Sequence, residues 1–154
     1  ISIDPAEYYV KGERVLFDVK LLLVEEFLLR EKDFREFVKT NSWEIFSGKF
    51  VAITCSNDAI IPVWAYMLLA SALEPFAQKV VFGNLEDLEM ELFKQEINKI
   101  DPENFRDQRI VIKGCGDIYV PTSAYMELTR LLKPVVKSIM YGEPCSTVPV
   151  YKRK

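Results

Sequence analysis

The chain has 154 residues, 49% of them hydrophobic and 28% charged, with a net charge of −3. That mix describes one soluble globular domain, large enough to bury about 68–70% of its unfolded surface without disulfides or a metal. Its acidic balance argues against a nucleic-acid binder. The three cysteines come with no histidine, which excludes Ser-His-Asp and Cys-His sites, HExxH zinc sites and an imidazole pH switch.

The first 48 residues form an N-terminal segment with one predicted helix near Glu31 to Thr40. Its apolar run from Leu21 to Leu29 is broken by Glu25 and Glu26, and the run from Ala65 to Leu73 by Ser71, so neither is expected to span a membrane. Asp4 and Glu7 replace the basic leader of a signal peptide. Three widely spaced cysteines are a poor disulfide framework and fit a reducing, cytoplasmic setting.

Phe50 to Thr54 reads as a buried strand rich in Val and Ile. A polar loop follows, and Pro62 opens a helix whose Ala65, Leu69 and Leu73 form an i, i+4, i+8 stripe. Pro75 ends that helix, Lys79 to Phe82 reads as a second strand, and Gly83 closes it. A linking stretch over 84–108 carries a predicted helix from Leu85 to Ile100, with Asn84 as N-cap and Glu86 and Asp87 in its first turn.

The pattern then repeats. Phe50 to Gly83 aligns without a gap on Arg109 to Gly142 at an offset of 59, and 10 of the 34 pairs are identical, where composition alone gives about two. The second copy predicts a strand at Arg109 to Lys113, a helix after Pro121 with the stripe Ala124, Leu128 and Leu132, and a strand at Ser138 to Tyr141. The expected fold is an α/β layered sandwich with a mainly parallel sheet, built from a tandem βαβ repeat (50–83 and 109–142) behind the N-terminal helical segment. Residues 143–154 read as a tail ending in the solvated Lys152, Arg153 and Lys154. Trp64 and Leu68 stand where the second copy has Ser123 and Glu127. That face calls for cover, either from the N-terminal segment or from a second chain in a homodimer.

Charge divides unevenly. Residues 51–105 hold nine acids against three bases, and residues 106–154 nine bases against four acids, an asymmetry that orients a partner or simply marks solvated helix faces.

Cys55, Cys115 and Cys145 fall just past predicted strands, and in a parallel α/β sheet sites form outside the carboxyl ends of strands. Asp58 and Asp117 occupy matched positions in the first two loops. Three readings stand side by side. The thiolates hold zinc or an iron–sulfur cluster, with Asp58 or Asp117 shaping or completing the site. Cys55 and Cys115 work as an acid/base pair, since Thr54-Cys55-Ser56-Asn57 and Gly114-Cys115-Gly116-Asp117 look like the paired cysteine loops of cofactor-independent amino-acid racemases. Or the cysteines are buried structural residues of a binding module, and the aspartates cap the Pro-initiated helices.

Several strings resemble an uncharacterised bacterial family, a domain of unknown function. They are Lys32-Asp33-Phe34-Arg35-Glu36, Cys55-Ser56-Asn57-Asp58-Ala59-Ile60-Ile61-Pro62, Trp64-Ala65-Tyr66-Met67-Leu68-Leu69-Ala70, Val111-Ile112-Lys113-Gly114-Cys115-Gly116 and Gly142-Glu143-Pro144-Cys145-Ser146-Thr147-Val148-Pro149. The resemblance covers the whole chain and implies no activity. Genes of that family often accompany iron–sulfur assembly genes. The resemblance thus implies a role accessory to iron–sulfur metabolism, with iron–sulfur assembly proteins as partners, and favours the metal reading.

Overall fold

The computed structural model describes residues 1–25, 27–114, 116–143 and 145–154. In chain order these form β1 (Ser2–Ile3), β2 (Arg14–Asp18), α1 (Glu31–Thr40), β3 (Phe50–Thr54), α2 (Val63–Leu73), β4 (Lys79–Phe82), α3 (Leu85–Ile97), β5 (Arg109–Ile112), α4 (Thr122–Leu132), β6 (Ser138–Glu143) and β7 (Ser146–Lys152). The expected single sheet is corrected to two. One has the order β2-β3-β4 and is all parallel; the other has the order β1-β5-β6-β7 and is parallel except for the β6–β7 pair. The physical reason is that each βαβ path finds its third strand in the N-terminal segment, where β2 joins β3 and β1 joins β5. Two compact units result: a continuous one, Lys11–Leu88, and a split one, Ile1–Val10 with Glu89–Lys154.

In the continuous unit, α2 lays Ala65, Leu69 and Leu73 on Val51 and Ile53 of β3, all of them buried. Each such leucine is worth about 1.5–3 kcal/mol on burial. The sequence of α2 is apolar nearly all round (VWAYMLLASAL), so its outer face also needs cover. The chain supplies it from α1: Phe34 meets Trp64 edge-on at 6.0 Å, and the Arg35 guanidinium lies over the Trp64 ring at 5.2 Å. Cover for Trp64 thus comes from the N-terminal segment, while Val63 and Met67 of the same helix stay exposed. Trp43 closes the unit, with Phe17, Phe37 and Phe46 around it at 5.8–5.9 Å and its indole N–H donating to the Val38 carbonyl at 2.8 Å.

The buried core of the split unit is mainly aliphatic, with Phe93 its one fully buried ring among the described residues. Ala124, Leu128 and Leu132 of α4 pack with Ile110, Ile112 and Ile139 of the sheet and with Phe93 and Ile97 of α3. Helix α3 begins with a reciprocal cap, in which the Asp87 N–H donates to Asn84 Oδ1 at 3.0 Å and the Asn84 N–H to Asp87 Oδ2 at 2.9 Å. The C-terminal residues do not form the expected tail. Seven of them make β7, which pairs antiparallel with β6 and carries a register shift between Ile139 and Met140. Pro149 is tolerated because β7 is an edge strand.

The paired registers recur at the offset of 59: Phe50 faces Lys79 as Arg109 faces Ser138. Gly83, just after β4, and Gly142, within the last pairs of β6, have φ +136° and +119°, a backbone that L side chains rarely adopt. The aromatic pairs Tyr66–Phe82 and Tyr125–Tyr141, at 5.1 and 5.7 Å, also occupy matching positions.

Candidate functional site

At the carboxyl end of the three-stranded sheet, β2 runs out in Asp18 beside β3, whose last residue Thr54 is its register partner. Asp18 caps a short 3₁₀ turn, accepting from the Lys20 N–H at 3.0 Å. The same carboxylate reaches into the cysteine loop, where the Ser56 N–H donates to it at 3.1 Å and the Ser56 hydroxyl at 2.6 Å. Burial pushes the Asp18 carboxyl up, but these three donors outweigh it and hold the group below the usual carboxylate range. Cys55 is a free, half-buried thiol next to Ser56. Burial raises the Tyr66 hydroxyl, and negative charge on Cys55 and Asp18 pushes it the same way, so these groups form one electrostatic neighbourhood.

The split unit repeats the arrangement with different contents. Ile3 pairs with Ile112 as Phe17 pairs with Ile53, which makes Asp4 the counterpart of Asp18. Asp4 also caps a 3₁₀ turn, with one donor, the Ala6 N–H at 3.0 Å. Beside it lies a cavity of about 330 Å³ lined by Asp4, Lys113, Gly114, Gly116, Tyr119 and Tyr125 among others. That volume is within the range of small-molecule sites. Tyr141 stands over Gly114, its hydroxyl donating to the Gly114 carbonyl at 3.5 Å, and a Cβ on Gly114 would collide with that ring. At the offset of 59, Gly114 aligns with Cys55 and Cys115 with Ser56.

The predicted site residues are distributed across both units. Cys55 follows β3 in the continuous unit, and Cys145 is a free, exposed thiol between β6 and β7 in the split unit. Cys115 lies outside the described residues. The expectation that all the thiols line one edge of one sheet is therefore corrected: Cys55 belongs to one sheet and Cys145 to the other. Asp58 and Asp117 are exposed in their loops. They do not cap α2 and α4, whose N-cap positions are taken by Pro62 and Pro121 with no side-chain cap. Among the described residues no group of three or more Cys, Asp or Glu is assembled for a metal ion. Asp18, which bonds the Cys55 loop, and Asp4, which lines the cavity beside Lys113 and Gly114, were missed from sequence. Their signal was an aspartate preceding a short turn, local and easily overlooked.

Fold and site together define a class: a two-unit, mostly parallel α/β protein with an aspartate-capped 3₁₀ turn after the first strand of each sheet. A family model matches residues 1–153, and the chain belongs to that family, DUF2480, a protein of unknown function. Searches of curated proteins and of solved structures give no significant match. Among the described residues no helix is long and apolar enough to cross a membrane.

Proposed function

We propose that this chain is a cytoplasmic binding protein whose main site is the carboxyl end of the four-stranded sheet, and that its ligand is thiophilic, zinc or an iron–sulfur cluster. The observation that carries the reading is the cavity of about 330 Å³ bounded by Asp4, Lys113 and the two glycines that flank Cys115 in sequence. Gly116 has open space where a side chain would stand, whereas Gly114 makes room for Tyr141, and the carboxyl end of a parallel sheet is where such folds bind. In this reading Cys115 is the essential ligand, with Cys145 and the exposed Asp117 of the same unit as further donors; Cys55 and Asp58 belong to the other unit and are left out of this site. The resemblance noted above supports a role accessory to iron–sulfur metabolism. We also infer that the two βαβ paths arose by duplication, on the strength of their shared registers, glycines, aromatic pairs and aspartate caps.

The test is iron, zinc and sulfide content of anaerobically purified protein beside its Cys55→Ser/Cys115→Ser/Cys145→Ser variant. The reading expects metal in the first and its loss in the second. Equal, near-zero content in both would sink it.

A further inference from the structure

Away from the cysteine loops, the four-stranded sheet carries a second cavity, of about 550 Å³, at the other end of its strands. Cross-strand partners share a sheet face, so the register Arg109–Ser138–Lys152 sets one row on one side, opposite to Ile110 and Ile139, which pack with α4. Met140 lies in the next row on that same side and gives the cavity an apolar floor. Lys137 and Arg153 complete the lining, so four cations surround one hollow. Arg153 is held in place, donating to Asp107 at 2.7 Å and to the Val135 carbonyl at 2.9 Å. Among the described residues, Arg109, Lys137 and Lys152 form no ion pair. With Asp107 counted against Arg153, the surplus of positive charge is concentrated here in a chain whose net charge is −3. Asp107 offsets part of this charge, being held below the usual carboxylate range by the Arg153 hydrogen bond first and by the charges of Arg153, Arg106 and Lys137; the like charges that remain around the hollow repel each other, and an anion between them relieves that repulsion.

We propose that this hollow binds a small amphipathic anion, one whose phosphate, sulfonate or carboxylate groups meet Arg109, Lys137 and Lys152 while an apolar body rests on Met140. The volume is that of a small-molecule site, and charge-assisted hydrogen bonds to the three cations set orientation. This site is independent of the thiol loops and does not need a metal.

The experiment is a fluorescence titration of the intact chain with anilinonaphthalene sulfonate, an aromatic sulfonate, followed by displacement with inorganic pyrophosphate. Saturable binding, weakened by salt and displaced by pyrophosphate, is expected. Lys137→Glu/Lys152→Glu should weaken it at least about tenfold. Lys32→Glu/Lys39→Glu changes the net charge equally on the exposed face of α1 and should leave it unchanged. Lys137→Gln/Lys152→Gln, with circular dichroism as the fold control, should give an intermediate loss. Absence of binding to the wild-type chain, failure of pyrophosphate to displace, or equal losses in the two charge-reversed variants would overturn the proposal. So would fluorescence that survives the Lys137→Glu/Lys152→Glu change, because it would come from the apolar groove lined by Met126, Val148 and Val150.

Discussion

In the continuous unit β4 is an edge strand, and Phe82 at its end is 72% exposed; in the split unit its counterpart β6 is paired by β7, and Tyr141 is 40% exposed. The continuous unit instead receives its cover on the helix side, from α1 and the cluster around Trp43. The cysteine loops differ in the same spirit. Asp18 is used by three donors, two of them from Ser56, and ties its loop down, whereas Asp4 has one local donor and stands beside a cavity. One backbone path thus supports a latched loop in one unit and an open, cavity-bearing loop in the other. The proposed binding site rests on the second of these.

The largest expected effect lies in the aromatic cover. Trp43→Ala removes the ring on which Phe17, Phe37 and Phe46 converge and should cost about 3–5 kcal/mol, read by urea unfolding. Both tryptophans, Trp43 and Trp64, are in the continuous unit, so the Trp64 emission left in this variant reports that unit alone. A loss below about 1 kcal/mol would remove the contrast in how the two units are closed.

The aspartates come next. Asp18→Ala should cost about 1–2 kcal/mol, and Asp4→Ala less, nearer to about 0.5–1 kcal/mol, both at partly exposed positions where screening limits the charge contribution. Asp18→Ala should also quicken labelling of Cys55 by a thiol reagent, because Ser56 is released. Equal costs for the two, with unchanged labelling, would erase the distinction between latched and open loops. The pH dependence has a definite sign. A carboxyl held below its unfolded value contributes stability above that value and loses it as the pH falls through its folded value. The stability gap between wild type and Asp18→Asn should therefore be full at neutral pH and close in acid, below the ordinary carboxylate range.

Double-mutant cycles on Tyr66–Phe82 and on Tyr125–Tyr141 should each give a coupling of about 0.5–1.5 kcal/mol, similar in the two units because the ring geometries correspond. The smallest effect is at Ser123, where the continuous unit has Trp64. Its hydroxyl is buried and has no hydrogen-bond partner, so Ser123→Ala should be neutral or stabilising by up to about 1 kcal/mol in thermal unfolding.

Periodicity and self-comparison made the path from β3 to β6 legible, because Val- and Ile-rich runs, Pro62 and Pro121, and the 4-residue leucine stripes are local signals. Three strands were not legible. β1 is two residues long, β2 (RVLFD) lacks clear alternation, and β7 contains Pro149. Those strands decide that there are two sheets, since strand neighbours are set by long-range pairing that no local pattern encodes. The loops that follow β3 and β5 were legible from the strands that precede them. The carboxylates beside them were not, because Asp18 and Ser56 are 38 residues apart.

The most direct test of the central claim is a cadmium titration of the reduced, metal-free chain followed by backbone amide NMR. The account predicts saturable shifts at Lys113, Gly114 and Gly116, and their loss in Cys115→Ser. Shifts confined to the exposed acidic residues of α3, or unchanged titration of Cys115→Ser, would contradict it.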